Sequence, residues 1–204
     1  MTIILVRHGA TALNIARVLQ PPDTPLSEDG RVQAQAVAHA LAALRPAGLI
    51  SSDLPRALQT AEAIARATGL CVDTTQLLHE RNFGDLRGLP YDGLGVDPLT
   101  MRGAPPGGES AMVFEARVGR AFALLGERRA ALGGPLVVVT HGLVIRAMLA
   151  GPVALPTARL DGLHIGNTAL TVLEARAPHA VVVLNSTRHL GGGVEDNPNA
   201  LVGG

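Results

Sequence analysis

The chain has no lysine and no tryptophan among its 204 residues, so all 17 of its basic residues are arginine. The phosphate loop of Walker-type nucleotide-binding proteins and Schiff-base catalysis both require the amine of a lysine. The sequence therefore excludes both kinds of chemistry.

The chain also has a single cysteine and no net charge. Cys71 is the single cysteine, which excludes an intrachain disulfide and a cysteine-rich zinc site, and we expect it to pack as a small apolar residue. The 17 arginines are balanced by 17 acidic residues. A net charge of zero gives no overall electrostatic attraction to nucleic acid or to an anionic membrane. Neither is expected as a partner. The sequence shows neither a signal peptide nor a membrane-spanning run, which favours a cytoplasmic protein.

Aromatic residues make up 2% of the chain, whereas hydrophobic residues make up 47% and charged residues 17%. This is a globular composition with an aliphatic core. The length predicts one domain, which we place over residues 1–190. Residues 191–204 are rich in glycine without an apolar pattern, and we expect them to form a mobile tail.

Apolar runs alternate with helical patterns along the chain, which predicts an α/β fold. Ser27 followed by Glu28 marks the start of a helix with Val37, Ala40, Leu41 and Leu44 as its buried stripe. The glycine- and proline-rich stretch from 87 to 108 is typical of an active-site loop. The strands are predicted over 3–6, 47–51, 70–74, 136–139, 168–174 and 180–185.

The first strand ends in Arg7-His8-Gly9, followed by Asn14. Open α/β sheets keep their sites at the carboxyl ends of the strands. Arg7 is a forked donor for phosphate oxygens, and its charge favours the neutral, nucleophilic form of His8. An isolated Arg-His pair is also compatible with a simple strand end, so partners elsewhere must decide between the two interpretations.

The strand over 136–139 repeats this arrangement, because Thr140-His141-Gly142 follows it and opens a helix. Arg56 lies at the head of another helix, where a bound anion would explain a cation beside the positive end of the helix dipole. The alternative is a surface pair with Asp53. His79 is interpreted as a surface residue.

Glu80 follows two leucines that we expect to be buried. A carboxyl group next to apolar side chains has a raised pKa, which suits a general acid. The alternative is a surface ion pair with Arg81 or Arg87.

Taken together, these motifs resemble the histidine phosphatase (phosphoglycerate mutase-like) superfamily in order and spacing over residues 1 to about 190. The motifs are Val6-Arg7-His8-Gly9, Leu26-Ser27-Glu28-Asp29-Gly30, Ser52-Asp53-Leu54-Pro55-Arg56-Ala57, Glu80 before Phe83-Gly84, Gly108-Glu109-Ser110 and Thr140-His141-Gly142.

The resemblance implies a three-layer α/β/α sandwich with a mostly parallel central sheet and a reaction without metal or other cofactor. His8 matches the nucleophile that forms a phosphohistidine, and Glu80 matches the proton donor to the leaving group. Other residues match the phosphate pocket, in which His141 would be protonated; they are Arg7, Asn14, Arg56, His141 and the backbone N–H of Gly142.

The resemblance covers both phosphatases and mutases. The mutases carry a longer basic insertion after the glutamate, whereas residues 88–108 contain Arg102 as their one basic residue. We therefore expect a phosphatase that acts on a small phosphorylated metabolite. A cofactor-dependent phosphoglycerate mutase and a binding module without turnover stay open as alternatives, and so does a homodimer formed by pairing of edge strands.

Overall fold

The computed structural model describes residues 2–95, 97–98 and 100–191. Its six strands form one sheet in the order β3-β2-β4-β1-β5-β6. Strands β1, β2, β3 and β4 are parallel, and β5 and β6 extend the sheet in antiparallel fashion. The strands are β1 (Thr2–Arg7), β2 (Gly48–Ser51), β3 (Asp73–Thr74), β4 (Leu136–Thr140), β5 (Leu170–Glu174) and β6 (Val181–Ser186).

Helices cover both faces of this sheet, because successive side chains of a strand point to opposite sides. Ile3 and Leu5 of β1 pack in one core cluster, whereas Ile4 and Val6 pack in the other. Helices α2 and α3 cover the second cluster, and α4 and α5 cover the first. The helices are α1 (Ala12–Ile15), α2 (Glu28–Ala42), α3 (Pro55–Thr68), α4 (Ala111–Ala130), α5 (Gly142–Ala150) and α6 (Thr157–Leu160). The three-layer fold with a mostly parallel sheet is confirmed.

Local signals fix several helix ends. The side chain of Ser27 accepts from the N–H of Gly30 and that of Ser110 from the N–H of Val113, so both residues cap a helix start. Gly69 ends α3 in the left-handed conformation, with φ of 74°, a conformation that glycine adopts without steric cost. The predicted start of α2 at Ser27 is therefore confirmed.

Three local predictions need correction. Leu44 is 50% exposed rather than part of the buried stripe, because α2 ends at Ala42 and Arg45 turns the chain with a positive φ. The third strand is shorter than 70–74, because β2 offers only Ile50 and Ser51 as partners. Cys71 is exposed rather than packed. The short helix α6 was not predicted.

The loop over 87–108 contains one 3₁₀ turn, Tyr91–Gly93, within its described part. None of the described helices is long and apolar enough to cross a membrane. The tail predicted over 191–204 lies outside the described residues from position 192 onward.

Candidate active site

Three parallel strands bring their carboxyl ends together at one edge of the sheet. Arg7 lies opposite Thr140, and Val139 lies opposite Ser51. The N–H of His8 donates to the carbonyl of Thr140 at 2.9 Å, and the N–H of Ser52 donates to the carbonyl of Val139 at 3.0 Å. The residues that follow β1, β2 and β4, which are His8, Ser52 and His141, therefore meet in one place.

The ring of His8 is held in one tautomer by the turn that follows it. Nδ1 lies 2.7 Å from the carbonyl oxygen of Gly9, and because a carbonyl only accepts, Nδ1 carries the proton. Nε2 then bears the lone pair, and it is buried without a hydrogen-bond partner among the described residues. Gly9 is needed here, because a Cβ would lie 2.4 Å from the carbonyl oxygen of Gly30. The turn thus presents a nucleophilic nitrogen.

The environment also keeps His8 uncharged. Burial lowers its pKa well below the usual 6.5, and the positive charges of Arg56 and Arg7 lower it further. Burial is thus the larger cause of the shift, and the charge of Arg7, which was expected from the sequence to cause it, is a smaller one. The imidazole of His8 is neutral at pH 7.

His141 faces His8 with a distance of 5.1 Å between ring centroids. Its Nε2 lies 2.9 Å from Oγ of Ser52. Burial, followed by the charges of Arg56 and of other neighbours, lowers the pKa of His141 well below 6.5. In the free protein the buried surroundings and the arginines around His141 disfavour a further positive charge, whereas the protonated His141 expected with the substrate phosphate in place stays a prediction. When the Ser52 hydroxyl donates to Nε2, the neutral ring keeps a donor at Nδ1.

Arg7 and Arg56 supply two buried positive charges. Arg7 donates to the carbonyl of Ile165 at 2.5 Å, and Arg56 donates to the carbonyl of Pro21 at 3.4 Å. Burial lowers the pKa of each guanidinium to about 10, against the opposing effect of Glu80, so both stay charged at pH 7. A surface pair between Arg56 and Asp53 is not formed, because Arg56 is 1% exposed and Asp53 pairs with His79.

His79 is therefore a contact partner of Asp53 rather than a plain surface residue. Its Nε2 contacts Oδ1 of Asp53, and both side chains are partly buried. The contact joins the segment before Arg56 to the segment before Glu80.

Several buried nitrogen atoms of the site have no hydrogen-bond partner within residues 2–191 as described. They belong to different elements and are His8 Nε2, Asn14 Nδ2, Arg56 Nε and His141 Nδ1. Native proteins rarely leave buried polar atoms unsatisfied, and three of these four groups are, or can become, donors. The arrangement suits an anion that accepts several hydrogen bonds.

Asn14 is fixed for this purpose by the first turn after β1. Its Oδ1 accepts from the N–H of Thr11 at 3.1 Å, and Thr11 caps α1 in return. Asn167 donates to the same Oδ1 at 3.4 Å and to the carbonyl of His8 at 3.0 Å. With its oxygen engaged, Asn14 presents its amide N–H groups to the site.

Glu80 is 3% exposed and is held by two backbone donors. Its Oε1 accepts from the N–H of Arg81 at 2.9 Å, and its Oε2 accepts from the N–H of Leu143 at 3.1 Å. Burial raises the pKa of Glu80, against the opposing effects of these two bonds and of Arg56 and Arg7. The surface ion pair with Arg81 or Arg87 is not formed, and the raised pKa suits a general acid.

Gly142 begins α5 directly after His141, which is the N-cap residue. A helix N-terminus favours an anion because its first N–H groups point outward. A Cβ on Gly142 would lie 3.6 Å from Nε of Arg7, so the glycine leaves the arginine close against the helix start. The phosphate contact of the Gly142 N–H stays a prediction.

An ion pair between Arg117 and Glu109 holds the segment that carries Glu80. This pair was not predicted from the sequence. Arg117 of α4 donates to the carbonyls of Leu77 at 3.0 Å and His79 at 2.7 Å. It also pairs with Glu109 at 2.5 Å, and Glu109 accepts from the N–H of Asn82 at 2.8 Å. The motif Gly108-Glu109-Ser110 was the available signal for this contact.

Arg81 holds the loop beside the site. Its guanidinium donates to the carbonyls of Met101 at 2.7 Å and Gly103 at 3.1 Å. Arg102, the basic residue of that loop, pairs with Glu115 of α4 at 2.8 Å. Both arginines line a cavity of about 500 Å³ against α4 and α5. Arg102 therefore contacts α4 at the surface, where its side chain is 74% exposed.

No group of three or more His, Cys, Asp or Glu side chains in the described part of the chain is arranged to hold a metal ion. The chemistry of the site is that of imidazoles, guanidinium groups, amides and one carboxyl group.

Comparison with known proteins identifies relatives over most of the chain. The chain is 36% identical over 188 residues to glucosyl-3-phosphoglycerate phosphatase from Mycobacterium tuberculosis, covering 84% of each chain. It is 35% identical over 185 residues to a probable phosphoglycerate mutase from Yersinia pestis, covering 85% of each. The solved structure of the mycobacterial phosphatase with VO3 superposes with a TM-score of 0.79 at 33% identity, covering 91% of this chain and 99% of the other.

The model of the histidine phosphatase superfamily (branch 1) matches residues 3–187. The predicted class of enzyme, a phosphoric monoester hydrolase, is confirmed with the family by these relatives. The chain belongs to the histidine phosphatase superfamily, branch 1.

Proposed function

We propose that this enzyme hydrolyses small phosphate monoesters through a phosphohistidine formed on Nε2 of His8. The observation that carries the proposal is the state of His8: its Nδ1 proton is bound by the Gly9 carbonyl, its Nε2 is unpartnered, and burial lowers its pKa. A neutral imidazole with a free lone pair is the form that attacks phosphorus.

In the first step, Nε2 of His8 forms a bond to phosphorus while the bond from phosphorus to the ester oxygen breaks. Glu80, whose pKa is raised by burial, gives its proton to the departing oxygen, which leaves as an alcohol. Positive charges of Arg7 and Arg56 stabilise the negative charge on the non-bridging oxygens. Asn14, His141 and the N–H of Gly142 donate hydrogen bonds to the same oxygens.

In the second step, the carboxylate of Glu80 takes a proton from water while the water oxygen bonds to phosphorus. The bond between phosphorus and Nε2 breaks, which releases inorganic phosphate and returns His8 to its starting form. Glu80 is protonated again, so the cycle closes without a metal or other cofactor.

We further propose that residues 1–190 form the catalytic domain, that the enzyme works in the cytoplasm and that its partner is a small phosphorylated metabolite. The similarity to a glucosyl-3-phosphoglycerate phosphatase supports hydrolysis, and the similarity to a probable phosphoglycerate mutase keeps transfer as the alternative. The loop over 88–108 favours hydrolysis, because Arg102 is its one basic residue and pairs with Glu115. The candidates are sugar phosphates, phosphoglycerates, nucleotide-derived phosphates and α-ribazole phosphate.

The test is release of inorganic phosphate from a panel of these esters, with and without EDTA, by the wild type and by His8→Ala. We expect hydrolysis that survives EDTA and is lost in His8→Ala. Rapid acid-labile labelling of the wild type, but not of His8→Ala, by a ³²P-labelled ester would identify the intermediate. Isomerisation of 3-phosphoglycerate faster than its hydrolysis would support a mutase instead, and phosphate binding without turnover would support a binding module.

A further inference from the structure

The turn that leads into β5 has an unusual backbone conformation, and no motif in the sequence drew attention to it. It runs from Gly166 to Ala169 and is closed by a hydrogen bond from the N–H of Ala169 to the carbonyl of Gly166 at 3.1 Å. Its third residue, Thr168, has a φ of 55°, which a β-branched residue rarely adopts. Strained conformations of this kind persist where the surrounding structure holds them, and they cluster at functional sites. The contacts that hold Thr168 therefore point to the purpose of the turn.

Hydrogen bonds from two sides hold Thr168. Its N–H donates to the carbonyl of Arg7 at 3.0 Å, and its hydroxyl donates its one proton to the carbonyl of Asn167 at 2.8 Å. The hydroxyl therefore accepts from Nε2 of His189 at 3.0 Å. Burial lowers the pKa of His189, so the ring is neutral at pH 7 and carries its proton on Nε2. The buried Thr168 is thus fixed between the end of β1 and the 3₁₀ turn Arg188–Leu190.

The side chain of Asn167, the second residue of this turn, is held by the backbone of the nucleophile. It is 7% exposed, and its Nδ2 donates to the carbonyl of His8 at 3.0 Å and to Oδ1 of Asn14 at 3.4 Å. A carbonyl oxygen only accepts, so the His8 carbonyl determines which end of the Asn167 amide carries the N–H groups. The second N–H of Asn167 then meets Oδ1 of Asn14.

These donors determine the orientation of the Asn14 amide, whose oxygen and nitrogen could otherwise exchange places. The N–H of Thr11 and Nδ2 of Asn167 both donate to Oδ1 of Asn14. Nδ2 of Asn14 is buried and has no hydrogen-bond partner in the part of the chain that the structure describes, which leaves it free to donate to the phosphate. In the reverse orientation, the nitrogen would face two donors and the oxygen would face the phosphate oxygens, so both ends would be repelled.

We infer that Asn167 is a positioning residue for phosphate binding: it keeps the oxygen of Asn14 away from the substrate, so that the amide nitrogen donates to the phosphate. The inference deepens the proposed function and rests on it, because it takes Asn14 as a phosphate ligand. Asn167 itself makes no contact with the substrate in this assignment. Its effect on binding therefore requires the side chain of Asn14, whereas a residue that only stabilises the fold would act without it.

The experiment is a double-mutant cycle on the binding of inorganic phosphate, measured by calorimetry. The four proteins are the wild type, Asn14→Ala, Asn167→Ala and the double variant. We expect each single substitution to raise the Kd roughly 10-fold, since each weakens a hydrogen bond to a charged group. The double variant should bind about as weakly as Asn14→Ala alone, because Asn167 then has no amide to orient.

A second substitution, Asn167→Asp, preserves the volume of the side chain and replaces the amide nitrogen with an oxygen. It should raise the Kd at least as much as Asn167→Ala, because an oxygen at this position attracts the nitrogen of Asn14 away from the phosphate. It leaves no cavity, so it gives the same cycle with Asn14→Ala if Asn167→Ala fails to fold. The control is Thr68→Ala at the end of α3, whose hydroxyl donates to the carbonyl of Ile64, and its Kd should equal that of the wild type.

Wild-type affinity in either Asn167 variant would overturn the inference, and so would losses in the two single variants that multiply in the double variant. If Asn14→Ala binds phosphate as tightly as the wild type, Asn14 is not a ligand and the inference fails with it. Hydrolysis is measured separately on the panel of esters. A wild type that binds phosphate but hydrolyses no ester contradicts the proposed function, while the cycle still decides the role of Asn167.

Discussion

Oγ of Ser52 lies 2.9 Å from Nε2 of His141, so the residue after β2 sets the hydrogen-bonding state of the residue after β4. We predict that Ser52→Ala lowers kcat/KM for a phosphate monoester about tenfold, because the His141 ring loses the partner that leaves Nδ1 as a donor. Steady-state kinetics would measure the change. The control is Ser51→Ala, whose hydroxyl bonds to the carbonyl of Ser52. Equal losses in both variants would indicate a general packing effect.

We predict that Glu80→Gln lowers kcat by roughly 100-fold or more with an alkyl phosphate, since proton donation to a leaving oxygen contributes about 10²- to 10⁴-fold. The rate of the first step should fall much less with 4-nitrophenyl phosphate, because its phenolate leaves without taking up a proton. Rapid-mixing kinetics would separate the burst of phenolate from the slower second step. The exposed Glu127 provides the control Glu127→Gln, and equal losses for both esters would contradict the role of Glu80.

The pH dependence of kcat/KM follows from two opposite pKa shifts. His8 must be deprotonated, and burial lowers its pKa, so the acidic limb should lie well below pH 6.5. Glu80 must be protonated, and burial raises its pKa, so the basic limb should lie above pH 4.5. Activity should therefore be highest between the lowered pKa of His8 and the raised pKa of Glu80, and it should fall on either side. A pH–rate profile tests this, and Glu80→Gln should remove the basic limb that belongs to Glu80.

The pair of Arg117 and Glu109 should control the placement of Glu80. We predict that Arg117→Ala lowers kcat roughly 10-fold with little change in KM, because the segment that carries the acid loses its anchor. Arg117→Lys should recover part of the loss. Arg120→Ala, on the exposed part of the same helix, is the control. If Arg117→Ala raised KM without lowering kcat, the anchor would act on substrate binding instead.

Gly9→Ala should destabilise the fold by about 2 kcal/mol, as overpacking does in well-packed regions. The added Cβ would lie 2.4 Å from the carbonyl oxygen of Gly30, whereas a Cβ on Gly119 in α4 would meet no heavy atom within 4 Å. Gly119→Ala should therefore stabilise the helix by about 0.5–1 kcal/mol. Denaturant unfolding measures both, and a neutral Gly9→Ala would contradict the close approach.

The succession of strands and helices along the chain and the polar groups at the strand ends could be predicted from the sequence. Apolar runs, helix caps and breakers are local signals, so each can be recognised in a short segment. The contact of Ser52 with His141 could not be predicted, because it joins residues that are 89 positions apart in the chain. The same holds for the contacts of Arg117 with the carbonyls of Leu77 and His79, which are 40 and 38 positions away. The neutral state of His141 also required the structure. Its pKa depends on burial and on the combined charges of Arg56 and Arg7, which sequence spacing does not give.

The position of β4 has a consequence for how the protein is made. This strand pairs with β1 on one side and β2 on the other, yet it is translated long after both. Until residue 140 has left the ribosome, the growing chain holds the two arginines and His8 but lacks the central strand that aligns them. The unpaired backbone edges of these apolar strands can pair with other chains during that interval. The site around His8 is therefore completed late in biosynthesis. A chaperone that covers the edges of β1 and β2 would act before the enzyme is active.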